Sequence, residues 1–252
     1  MSMNRSRADL RMRPNMRQIA IAELRLLFRN RLVAASALLV PVMFATVLIV
    51  TRDTFPGGAG SVVGLAVIGL AGLGVYVTAT TTLATRRQTL FLKRLRSTTV
   101  SDGAILAGLL VPVLAVNIFQ VAVVLVVMGV VGVPAADTLL VIVGVIAAEA
   151  LFLALALLTS VFSRSAEHAQ VTTLPLFFVS VGVAGWIAVT GTEDFTALKR
   201  LLPGGAAVEL MMDGWFGTSD WAHTAPALVS AIVWPIVVFI FARTYFRWDP
   251  RR

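Results

Sequence analysis

The chain contains no cysteine, which excludes a disulfide framework and any thiolate metal site. Histidine is nearly absent as well: His168 and His223 lie far apart in sequence, without the spacing of a metal-binding pair. Charge is scarce. Only 13% of the 252 residues are charged, about half the roughly 25% of a soluble domain. Lysine occurs twice, as Lys93 after Leu92 and as Lys199 after Leu198. No Gly-Lys pair exists, so the chain lacks the phosphate-cradling loop of the P-loop ATPases. What remains is apolar: 58% of residues are hydrophobic and the mean hydropathy is +0.89.

That composition predicts an all-α integral membrane protein. A helix needs about 20 apolar residues to cross the hydrocarbon core, and runs of that length, free of charge except for Glu149, occur at 32–51, 61–85, 104–133, 138–162, 171–190 and 224–242. Pro41, Pro112, Pro175 and Pro235 fall inside these runs, where neighbouring helices can satisfy the freed backbone groups. Six spans, making up a transmembrane domain over 32–246, leave both termini on one side. The cations name that side. Arg5, Arg7, Arg11, Arg13, Arg17, Arg25, Arg29 and Arg31 precede the first span, five more follow the second, and Arg164, Arg243, Arg247, Arg251 and Arg252 come later. Only Arg52, Lys199 and Arg200 fall on the opposite side. Short cytoplasmic loops collect Lys and Arg, so both termini, including the tail 247–252, are expected in the cytoplasm and the protein in the plasma membrane. The formal net charge of +8 is then a topology signal and a contact with lipid headgroups. It does not call for nucleic acid.

The first apolar run extends to Val50 and no small-x-small cleavage site closes it, so the first span is expected to be retained. Residues 1–14 are basic and aperiodic and are expected to be disordered. In 15–31, Met16, Ile19, Ala20, Leu24, Leu27 and Phe28 follow helical spacing while Arg17, Arg25 and Arg29 point elsewhere. This reads as an amphipathic helix on the inner leaflet, the alternative being a solvated extension of the first span.

The most informative stretch is 86–101, which interrupts the greasy sequence between the second and third spans. Arg86, Arg87, Lys93, Arg94 and Arg96 are interleaved there with Leu90, Phe91, Leu92 and Leu95. A topology signal alone would not require the apolar residues. The segment Leu92-Lys93-Arg94-Leu95-Arg96-Ser97-Thr98-Thr99-Val100-Ser101, followed by Ala104-Ile105-Leu106-Ala107-Gly108, resembles the corresponding loop of type-2 ATP-binding-cassette (ABC) exporter permeases. Leu174-Pro175-Leu176-Phe177-Phe178-Val179-Ser180, and Leu201-Leu202-Pro203 with Ala206 to Met212, agree with that family. Thr99, where the family often has Pro, and Gln88-Thr89, where it often has an acid and Gly, depart from it.

The resemblance implies a half-transporter. Two six-span permeases, the second a copy of this chain or a homologue, pair in the membrane, and each docks a separate cytoplasmic ATPase that holds ATP and Mg. No cofactor, metal or catalytic residue is implied on this chain. The loop 86–101 would be the coupling helix: Leu92 and Leu95 would enter a cleft of the ATPase while Lys93, Arg94 and Arg96 meet acids at its rim, with Leu90 also assigned to the coupling. The family also implies a partly re-entrant hairpin within the extracellular loop 193–223. An ordinary solvated loop, or a helix on the outer leaflet, would fit the same residues. Trp215, Phe216 and Trp221 suit contact with the interface in each case.

Within the spans, Glu149 is the one mid-span ionisable residue, a functional candidate by default. It could meet a cationic part of a substrate, or pair with Asn117 or Gln120 in an interhelical hydrogen bond. Tyr76 could line a substrate route or pack the core. Gly60 and Gly64, with Gly69, Gly72 and Gly74, give the second span small faces that suit close packing, either within this chain or with a second permease. The leading expectation is export of an amphiphilic or hydrophobic small molecule or lipid. A non-transporting membrane subunit that anchors a soluble partner is the alternative. A membrane-embedded enzyme would want clustered polar groups, and Glu149 stands alone.

Overall fold

The computed structural model describes residues 16–29, 31–97, 100–132, 134–218 and 220–246. The expected disordered tail 1–14 and the tail 247–252 lie outside the described residues. Chain order gives α1 (Met16–Arg29), α2 (Arg31–Val50), a short 3-10 turn (Arg52–Thr54), α3 (Ala59–Ala71), a π turn (Gly72–Val77), α4 (Thr78–Gln88) and α5 (Phe91–Arg96). The remainder is α6 (Asp102–Val131), α7 (Thr138–Phe162), α8 (Ala166–Thr190), α9 (Thr196–Leu201), α10 (Gly205–Phe216) and α11 (Trp221–Tyr245). Among the described residues the structure is helical throughout, without strands.

Among the described residues, five helices are long and apolar enough to cross a membrane: the continuous 59–88 helix, α6, α7, α8 and α11. In α2, the apolar stretch Leu39–Val50 is shorter. Boundaries follow caps that hydropathy does not register. Ser101, Asp137, Ser165 and Asp220 each accept a hydrogen bond from a backbone N–H in the first turn of the helix they open, satisfying donors that a helix start leaves without a partner. Ser165 therefore starts α8 at Ala166, ahead of its apolar run, and Asp220 starts α11 at Trp221.

The 59–88 helix is the axis of the bundle. Every residue of α3 is buried, and α3 packs against α2, α8 and α10. A Cβ on Gly60 would sit 2.4 Å from the Phe216 ring, and one on Gly64 would sit 2.5 Å from the Val208 side chain. These glycines thus serve the approach of α10 within this chain. Midway, the helix widens into the π turn, which begins just after Leu70, whose carbonyl accepts a hydrogen bond from Asn117 Nδ2 at 2.9 Å. An inserted side chain of this kind is a recognised cause of local helix distortion. Around the axis, α7 packs broadly on α10 and α11, and α1 lies across α6. Ile19 is buried at that crossing, against Gly108, where a Cβ would come within 2.8 Å of it. By contrast α6 and α7, consecutive in sequence, make no extended contact with each other.

Candidate functional site

The basic segment resolves into two parts. α4 continues to Gln88, so Arg86 and Arg87 belong to the end of the central helix. Leu90, at φ 59°, then turns the chain through the left-handed region, and α5 follows as a helix of six residues. Leu92 and Leu95, three apart, share one face of α5 and are buried against this chain, 0% and 9% exposed. Lys93, Arg94 and Arg96 lie on the exposed side, as does Leu90. This corrects the expectation that Leu92 and Leu95 enter a partner's cleft. Two leucines on so short a helix are spent holding it to the bundle, and the surface left for a partner is cationic. Arg96 forms an ion pair with Asp102 at 3.3 Å, both about half exposed, a geometry of small energetic value.

The two arginines of α4 face different partners. Arg86 Nη2 donates to Glu23 Oε2 at 2.6 Å, with both side chains largely covered, and its guanidinium lies 5.1 Å from the centre of the Phe91 ring. One side chain thus joins α1, α4 and α5. Glu23 is absent from the sequence reading, although it is the one acid between positions 10 and 52. Its isolation among arginines was the available signal. Arg87 is 2% exposed, and its Nη2 donates to the carbonyls of Ser160, at 2.6 Å, and Ser163. It seals the C-terminus of α7, where the helix dipole favours a cation.

Mid-bundle polar groups separate rather than converge. The Tyr76 hydroxyl shares a hydrogen bond with Thr159 Oγ1 at 2.9 Å, and its ring lies 5.8 Å from that of Phe152. With no exposed surface, Tyr76 is a strut in the packed interior. Asn117 Nδ2 reaches Gln120 Oε1 at 3.4 Å besides the Leu70 carbonyl. Glu149 hydrogen-bonds to neither Asn117 nor Gln120, so the interhelical pairing, one of the two readings offered for it, is not made. Its carboxylate oxygens have no hydrogen-bond partner among the described residues.

Within the segment 193–223, α10 is packed inside the bundle, whereas most of the described residues on either side of it are exposed. α10 is buried from Gly205 through Trp215 and packs on α3, α7, α8 and α11. Trp215 therefore faces inward, while Phe216 and Trp221 stay exposed. Arg200 holds Glu209 with both ends of its guanidinium, Nε to Oε2 at 2.8 Å and Nη2 to Oε1 at 2.6 Å, and also donates to the His223 carbonyl. This fork ties α9 to α10 and to the start of α11, and a bidentate pair is the strong form of such a contact. Lys199 donates to Thr190 Oγ1 and the Gly191 carbonyl and lies 4.9 Å from the Trp186 ring centre. Burial holds its pKa below the ordinary lysine value, against the opposing pull of Asp194 and Glu209. Burial, and then the Glu209 charge, push the Asp213 carboxyl up to about 6. Among the described residues no three His, Asp or Glu side chains gather where a metal ion could be held. Comparison with protein-family models and with curated protein sequences returned no match.

Proposed function

We propose that this chain is the permease subunit of a type-2 ABC exporter in the plasma membrane, with both termini cytoplasmic. Six helices cross the bilayer: α2, the 59–88 helix, α6, α7, α8 and α11. The α9–α10 hairpin covers the outer end. A separate ATPase subunit holds ATP and Mg on the cytoplasmic side, and a second permease, either this chain or a homologue, completes the transporter. The cargo is amphiphilic or hydrophobic, a drug-like metabolite or a lipid.

The observation that carries this reading is the mounting of α5. A helix anchored inward by Leu92 and Leu95 and presenting Lys93, Arg94 and Arg96 outward suits an acidic socket on a soluble partner. Anchoring makes it a lever. Displacement of α5 passes to α4 through the Leu90 turn, to α1 through Arg86 and Glu23, and to α6 through the short connection that begins at Ser97. A rigid element held in a socket is how closure of one body can move another.

Because Leu92 and Leu95 are structural, the test uses the exposed cations. Affinity purification from native membranes in mild detergent compares the native chain with Lys93→Glu/Arg94→Glu at equal abundance. The expected result is an ATPase that co-purifies with the native chain, hydrolyses ATP, and is lost from the variant. If no ATPase follows the native chain even after cross-linking, the exporter reading fails and an anchoring subunit replaces it.

A further inference from the structure

Along α6 the bundle is open. α6 makes no extended contact with α7 or α11, and two cavities follow one another in the space between them. The first, of about 480 Å³, lies where α6 begins and α7 and α11 end, among Asp102, Leu106, Leu157, Phe239 and Arg243. The second, of about 500 Å³, lies deeper, between Leu114, Ile118 and Val121 of α6 and Val145, Ile146 and Leu153 of α7. Leu106, Leu114 and Ile118 recur in steps of four or eight, so one face of α6 serves both cavities. From Leu106 to Ile118 that face rises about 18 Å, close to one leaflet of a hydrocarbon core roughly 30 Å thick. Polarity changes along it. The deeper wall is apolar, since Glu149, which borders it, keeps both carboxylate oxygens shielded. The rim carries one charge of each sign, and both are open: the Asp102 side chain is 47% exposed, and Arg243 is exposed. Arg96 takes Asp102 Oδ1 at 3.3 Å and leaves the second oxygen, while Arg243 has no partner among the described residues. A Cβ on Gly103, between them on the rim, would meet nothing within 4 Å.

We propose that this track binds a phospholipid of the ethanolamine class, a phosphate beside a primary ammonium on acyl chains. The Arg243 guanidinium donates to the phosphate, and the ammonium donates to the free oxygen of Asp102, both as charge-assisted hydrogen bonds. One acyl chain lies along the apolar wall between α6 and α7. The order of groups along the track, charged rim then apolar depth, is that of a lipid in its leaflet. A choline headgroup carries a quaternary ammonium with no N–H to give Asp102. A glycerol headgroup brings no cation to Asp102, and a neutral tail leaves both rim charges unanswered. The site needs only this chain and a lipid, so its test stands or falls apart from the ATPase partnership.

The full-length chain in mild detergent is given equal amounts of phosphatidylethanolamine, phosphatidylcholine and phosphatidylglycerol with matched acyl chains. Native mass spectrometry then identifies the lipid retained. The native chain is expected to hold the ethanolamine lipid about fivefold over each of the others, as for part-exposed ion pairs. Asp102→Asn is expected to bring the ethanolamine and choline lipids level. Arg243→Ala is expected to weaken retention of the ethanolamine lipid by about fivefold. Gly103→Phe, which fills the rim and leaves both charges in place, is expected to abolish the preference. Equal retention of the three lipids by the native chain, a preference for the choline or glycerol lipid, or a native-like preference in Asp102→Asn would each overturn the assignment. The comparison among lipids uses the native chain alone, so misfolding of a variant cannot imitate it.

Discussion

Arg87 carries a charge into the bundle and spends it on the last turn of α7, where carbonyls would otherwise lack partners. Its removal should cost more than that of any exposed neighbour. Arg87→Met is expected to lower stability by about 1–3 kcal/mol, the cost of leaving buried acceptors unmet. Arg87→Lys should recover only part of this, because an ammonium lacks the planar fork. Arg94→Ala should change stability by less than about 0.5 kcal/mol, as exposed sites do. Thermal unfolding of the three variants in one detergent checks the order. This residue also marks a limit of one-dimensional reading. Arg86, Arg87, Lys93, Arg94 and Arg96 are neighbours in sequence and read as one basic group. Adjacent positions on a helix nevertheless point about 100° apart, so Arg86 meets Glu23 and Arg87 meets α7. No spacing rule separates them without knowing that α4 runs on to Gln88.

The α9–α10 hairpin buries the Asp213 carboxyl, which titrates accordingly. Asp213 is easier to keep neutral than an unfolded aspartate because of its burial and of Glu209 beside it. Its folded pKa is raised, so its contribution to stability is complete below about pH 4 and is lost as the pH rises through about 6. The thermal midpoint is expected to rise on acidification from pH 7 to pH 5, and Asp213→Asn should flatten that slope and melt higher at pH 7. Melting curves of both proteins across this range test it. The long apolar helices were legible because each contains a long apolar run with almost no charge, Glu149 being the one mid-span exception. The hairpin was legible only as one of three alternatives for 193–223, since no spacing rule announces that Arg200 clamps Glu209. Starts set by Ser165 and Asp220 escaped a reading based on hydropathy, since polar caps sit outside the apolar run they initiate.

For the molecule as a whole, the sequence without cysteine is ready for mapping by single substitutions. With six crossings, a cysteine at Ser97 or Arg164 should react with an impermeant maleimide only after cells are opened. One at Asp53, Thr192 or Thr218 should react in intact cells. Reaction of Ser97→Cys and Thr192→Cys from the same side would overturn the proposed topology. The positions of five long apolar helices could be read in advance, but the way the helices pack on one another could not, because buried and exposed residues are equally apolar in this chain. The π turn at Gly72–Val77 shows what such hidden geometry controls. A wide turn takes up a residue that a regular helix would convert into rotation. Without it, everything from Thr78 onward would swing by about 100° about the helix axis. Arg86 and Arg87 would then lose Glu23 and the end of α7 together. The angular phase of the membrane-edge arginines is therefore set deep in the bundle, at the level of Asn117, by a local change of helical pitch.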